Sequence, residues 1–270
     1  MLEHRHMPDR NRLSVISAII LLAYALARLV EFPVRELEFQ LPGIYLATEI
    51  NIRTIIALLV AGLAATGTDW LLRSHPHIKD HKIFEHWILP ALTAYVIGLP
   101  LYQLAIGFQW WLGFAIGGAI LVLVLVAEYI SLDPDDVRHP AASLGLTTVS
   151  FALFLTLAIV LRYSGLRLFL TLPALTLAAG LVSLRTLHLR SHGQWAWVES
   201  ATITIVCAQI IASLHYLPIS PVMYGLLLIG PAYAITSLIA NLADGNTLRA
   251  SLIEPAIVLV IVIGTALWIG

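Results

Sequence analysis

Charge is what this sequence has least of. Only 11% of its 270 residues are Asp, Glu, Lys or Arg, against roughly 25% in a soluble domain. An excess of one sign is missing as well: the net charge is −1, so no global field draws the chain toward nucleic acid. No nucleic-acid partner is expected. The single cysteine, Cys207, excludes an internal disulfide, a Cys-ligated iron–sulfur cluster and a c-type haem attachment. Long polar loops are absent too, which leaves no room for a separate soluble domain.

What is present is apolar. Hydrophobic residues make up 59% of the chain and the mean hydropathy is +0.89, which places the chain in a bilayer. Soluble enzymes, secreted disulfide scaffolds and disordered proteins are thereby excluded. A helix needs about 20 apolar residues to cross the hydrocarbon core. Nine runs satisfy this, near 12–31, 51–73, 84–107, 109–131, 140–162, 167–187, 195–217, 220–241 and 250–270. Backbone polar groups cannot stay unpaired in lipid, so each run reads as a helix. The first run, with its basic N-terminal flank and Ala25-Leu26-Ala27, also sketches a signal peptide. It is longer than a usual signal h-region, and eight spans follow, so an uncleaved first span is expected.

Orientation follows from the basic residues. With a cytoplasmic N-terminus, ten of the fifteen Lys and Arg fall at inner helix ends, as the positive-inside rule requires. The tryptophans agree, since indole prefers the headgroup level. Trp70, Trp87, Trp195 and Trp197 fall at inner ends, and Trp110, Trp111 and Trp268 at outer ends. A multi-pass protein of the cell (inner or plasma) membrane is expected, with its C-terminus outside.

Two stretches echo one another. Leu72-Arg73-Ser74-His75 closes the second span and Leu189-Arg190-Ser191-His192 the sixth. Ala61-Gly62-Leu63 matches Ala179-Gly180-Leu181, and Leu99-Pro100 matches Leu217-Pro218. The expected fold is therefore an all-α integral membrane protein of nine transmembrane helices, two parallel four-helix repeats plus a C-terminal helix. It forms a single polytopic domain over 1–270. The first repeat covers 1–135, the second 136–245 and the ninth helix 246–270.

Mid-bilayer charge usually marks an ion pathway or a proton relay. Asp69, Glu85, Glu128, Glu199 and Glu254 all lie within roughly two turns of an inner helix end, which disfavours a carboxylate relay through the middle. Nine of the ten histidines share that side. His77/His81 and His188/His192 each have the spacing that puts two imidazoles on one helical face, as zinc or iron ligation needs. They are the candidate metal ligands, although Pro76 places the first pair in a loop. Asp69, Glu128 and Glu199 are the candidate acid/base groups. Arg73 and Arg190, each beside a serine, are candidates for clamping a headgroup phosphate. In Asp133-Pro134-Asp135-Asp136, Asp135 or Asp136 is expected to cap the fifth helix rather than bind a cation. Gly113, Gly117 and Gly118 give the fourth helix a small-residue face for close packing.

Several membrane families are disfavoured by missing residues. Retinal proteins need a lysine in the bundle, and Lys79 and Lys82 both lie in a loop. Membrane desaturases carry His-His pairs, and none occurs here. Intramembrane prenyltransferases resemble the expected nine-helix architecture, but their loops after the second and sixth helices are aspartate-rich. The first such loop here offers only Asp69 and Asp80, and the second has no aspartate. What remains is binding or transport of a lipid or small hydrophobic ligand, with the bilayer as partner. The alternatives are an enzyme with an inner-rim His/carboxylate site, or a structural subunit of a membrane complex.

Overall fold

The structure is a computed structural model that describes residues 7–29, 35–41, 44–50, 52–75, 84–190 and 195–269. Nine helices among the described residues are long and apolar enough to cross a membrane. The α-helices are α1 (Arg10–Leu29), α2 (Ile52–Leu72), α3 (Ile88–Gln103), α4 (Phe108–Ile130), α5 (His139–Tyr163), α6 (Leu168–Arg190), α7 (Trp197–His215), α8 (Pro221–Ala243) and α9 (Leu248–Ile269), the third reaching spanning length only as Phe84–Gln103. A 3-10 turn, Phe84–Trp87, leads into α3. These elements follow the nine apolar runs closely.

One linker departs from the all-helical expectation. Between α1 and α2 lie two strands, β1 (Arg35–Leu41) and β2 (Ile44–Ile50), paired antiparallel with Arg35 opposite Ile50 and Leu41 opposite Ile44. The segment Arg35-Glu36-Leu37-Glu38-Phe39-Gln40-Leu41 alternates polar and apolar residues, the period of a strand. Only two positions, Pro42-Gly43, separate the strands, a length that suits a tight hairpin.

Local chemistry sets the helix ends. Pro140 and Pro221 stand in the first turns of α5 and α8, where a missing N–H costs no hydrogen bond. Ser220 caps α8 by accepting the Met223 N–H at 3.2 Å. The expected aspartate cap of α5 takes another form: Asp136 accepts the Arg138 N–H at 2.8 Å in a turn just before the helix, while Arg138 holds the cap position. Gly245, with φ at +79°, turns the chain out of α8, a conformation that glycine adopts without a Cβ clash.

The chain divides into two compact units, Met1–Leu132 and Asp133–Gly270. In the first, α1 packs on α2, α2 on α3, α3 on α4, and α4 closes back on α1. In the second, α5 to α8 touch in the same order, α8 closes back on α5, and α9 lies along α8. Glycines permit both closures. A Cβ on Gly118 of α4 would meet Leu21 of α1 at 3.1 Å, and one on Gly225 of α8 would meet Ile159 and Leu155 of α5 at 2.8 and 2.9 Å. An arginine near the end of each unit's first helix bonds carbonyls at the end of its third. Arg28 donates to Leu104 at 3.1 Å, and Arg162 donates to His215 and, at 2.6 Å, to Leu217.

Large apolar side chains stand outward on most helices, among them Leu59, Leu123, Leu177, Ile205 and Val260. A soluble monomer rarely exposes such continuous apolar surface; lipid is the solvent that suits it. Replacing Gly225 with Val should therefore lower stability by about 1–3 kcal/mol through overpacking. Gly62→Val, where a Cβ meets nothing within 4 Å, should be tolerated. Thermal unfolding of the detergent-purified variants checks this, and equal midpoints for the two would contradict the α5–α8 packing.

Candidate functional site

Ionisable groups in an apolar bundle need partners or a position at the rim. In the second unit the ends of α6 and α8 and the starts of α7 and α9 meet at one rim. Arg190, the last residue of α6, is half-buried there. Its guanidinium donates to Asn241 Oδ1 at 2.6 Å and to Ser237 Oγ at 3.2 Å. Ser237 donates onward to Glu254 Oε2 at 2.7 Å, and the Asn241 amide reaches the same oxygen at 3.4 Å. The Tyr233 hydroxyl donates to Glu254 Oε1. Two neutral side chains thus bridge the arginine to the carboxylate. Tyr233, Ser237 and Asn241 are spaced by four, so they form one polar stripe along α8. That stripe was the available signal, and the sequence reading did not single it out.

Beside this network lies an open cleft of about 420 Å³, within the size range of small-ligand sites. Its walls include Leu187, Arg190, Trp195, Glu199, Ile239 and Leu242. Two of the sequence candidates, Arg190 and Glu199, are therefore brought to one cavity. The indole of Trp195 stacks on Trp197 with ring centroids 4.9 Å apart, and the His188 ring lies 4.7 Å from it. His188 is buried and packs as an aromatic. A guanidinium has five N–H donors, so the bonds to Ser237 and Asn241 leave Arg190 with donors to spare.

The first unit holds a different pair, between the turn that leads into α3 and the end of α4. His86 Nδ1 and Glu128 Oε2 are 2.6 Å apart, and both residues are buried. Ser131 Oγ bonds the Glu128 carbonyl at 2.9 Å and stands 3.4 Å from the same carboxylate oxygen. His75 is buried nearby with its ring edge-on to Tyr129, 4.7 Å between centroids. An imidazole bonded to a carboxylate can hold or pass a proton. The sequence offered Glu128 as a candidate, but nothing in it joined residues 42 positions apart.

The remaining candidates fall elsewhere. Asp69 pairs with Arg73 at 2.6 Å within the last turn of α2 and just beyond it. That bond holds the exposed Arg73 guanidinium above its ordinary pKa. Arg73 is thus already occupied by a carboxylate. His77, His81 and His192 lie outside the described residues. Among the described residues, no three His, Cys, Asp or Glu side chains are grouped to hold a metal.

The two acidic pairs should behave differently on mutation. Glu128→Ala removes the buried partner of the buried His86 imidazole and should cost about 2 kcal/mol of stability. Asp69→Ala removes the half-buried i,i+4 partner of an exposed arginine and should cost less than about 1 kcal/mol. Chemical denaturation in mixed micelles measures both, and an Asp69 effect equal to that of Glu128 would contradict this ranking.

No curated protein and no solved structure matches the chain. A family model does, over residues 32–269, which takes in the hairpin, both polar clusters and all helices after α1. The chain belongs to that family, described as a protein of unknown function (DUF5656).

Proposed function

We propose that this multi-pass membrane protein binds an amphiphilic small molecule of the lipid class, in the rim cleft between α6, α7 and α8. The observation that carries the reading is Arg190. It is a half-buried cation held by the neutral Ser237 and Asn241, with donors left over, on the wall of a cleft otherwise lined mainly by apolar side chains. Arginine suits planar recognition of phosphate or carboxylate, and the leucine and isoleucine walls suit an acyl chain. Trp195 and Trp197 fix the depth, because indoles gather at the headgroup level. The cleft would then meet lipid headgroups directly.

The two units are proposed to be tandem copies, each of four helices, with α9 added. Supporting this are their common packing order, their glycine-permitted closures and the paired Arg28 and Arg162 bonds. The offsets agree as well. Leu29 and Tyr163 end the first helices 134 positions apart, and Leu72 and Arg190 end the second helices 118 apart. The difference of 16 is the length of Arg35–Ile50, so the hairpin reads as an insertion in the first copy. The cleft rim is assigned to the cytoplasmic side by the distribution of basic residues.

A second reading, a membrane enzyme, is favoured by one observation, the buried His86–Glu128 pair. Native mass spectrometry of the detergent-purified protein separates the two. On the binding reading the protein carries phospholipid, Arg190→Gln reduces its retention about tenfold, and Glu128→Gln leaves retention unchanged. Equal retention by wild type and Arg190→Gln would contradict it.

A further inference from the structure

The cleft carries two charges of opposite sign. Arg190 lines it from the end of α6 and Glu199 from the first turn of α7. They are not paired with each other: Arg190 spends its bonds on Ser237 and Asn241, and Glu199 is an exposed residue of the cleft wall. Glu199 sits where the helix dipole favours a negative charge. An anionic ligand drawn to Arg190 would therefore meet repulsion from Glu199, and a cationic ligand drawn to Glu199 would meet repulsion from Arg190. A ligand with both charges satisfies both walls at once.

Resting on the amphiphile reading above, we propose that the ligand's polar end is zwitterionic, with its phosphate or carboxylate on Arg190 and its ammonium group on Glu199. Complementary charges of this kind act chiefly as discriminators, because the wrong sign opposite a fixed charge is penalised. The apolar Leu187, Ile239 and Leu242 would take the start of the hydrocarbon tail. The same charge pattern is found on a zwitterionic phospholipid and on a free, water-soluble phosphoethanolamine.

The probes are dihexanoyl phosphatidylethanolamine, dihexanoyl phosphatidylglycerol and free phosphoethanolamine, titrated into wild type and Glu199→Gln in non-ionic detergent. Tryptophan fluorescence reads binding, since Trp195 lines the cleft. Glu199 is exposed, so Glu199→Gln should unfold at the wild-type temperature, and the wild-type comparison needs no variant at all. The zwitterionic lipid should bind about tenfold more tightly than the glycerol lipid, and Glu199→Gln should remove most of that preference. Equal binding of both lipids, unaffected by Glu199→Gln, would overturn the zwitterion while leaving the amphiphile reading intact. Binding of neither lipid would overturn both. Free phosphoethanolamine binding as tightly as the lipid would support the charge pattern but overturn the lipid as its source.

Discussion

Hydrocarbon offers polar atoms no partner, and this constraint shapes nearly every side-chain choice in the molecule. Many of the hydroxyls inside the helices turn back on their own backbone. Thr68 bonds the Ala64 carbonyl, Thr93 that of Leu89, Ser150 that of Leu146 and Thr236 that of Ala232, each at 2.6–2.7 Å. Each satisfies itself within one turn and contributes nothing to a pathway. Helix pairs gain their closeness from shape instead, as where Gly117 would place a Cβ 2.5 Å from Ile97. Close packing of small residues is the main attraction left when both lipid and protein are apolar.

Charge is consequently forced to the rims, and the two units handle it differently at comparable positions. Glu128 and Asn241 each stand two residues before the end of their unit's fourth helix. In the first unit that position holds a carboxylate bonded to an imidazole, enclosed by protein. In the second it holds an amide that steadies an arginine beside an open cleft. An enclosed pair favours stability or proton handling, whereas a steadied cation on an open wall favours binding. That difference is why the ligand is placed in the second unit.

The nine helices were legible because span length and hydropathy are fixed by the bilayer rather than by tertiary contacts. Arg190 and Glu199 were legible by depth alone, since few ionisable groups occur and each stands out. The hairpin was less visible because its alternation is brief and lies between two far stronger apolar signals. The Tyr233–Ser237–Asn241 stripe was hidden for another reason. Polar residues at spacing four mean little until Glu254, across the turn into α9, shows which face they serve. The spacing of His188 and His192 offered two imidazoles on one face, but His192 lies outside the described residues, and the contact of the His188 ring with Trp195 depends on tertiary packing and not on a period.

The proposed lipid site requires α7 to cross the membrane with its first turn, and so the cleft, at the cytoplasmic headgroup level. Cys207 is buried, so a Cys207→Ala background permits single cysteines at Val198 and Tyr216, both exposed and at opposite ends of α7. Labelling with a membrane-impermeant maleimide on sealed vesicles of known orientation reads the side of each. The cysteine at 198 should react only from the cytoplasmic side and the cysteine at 216 only from the other. Reaction of both from the same side would contradict that crossing.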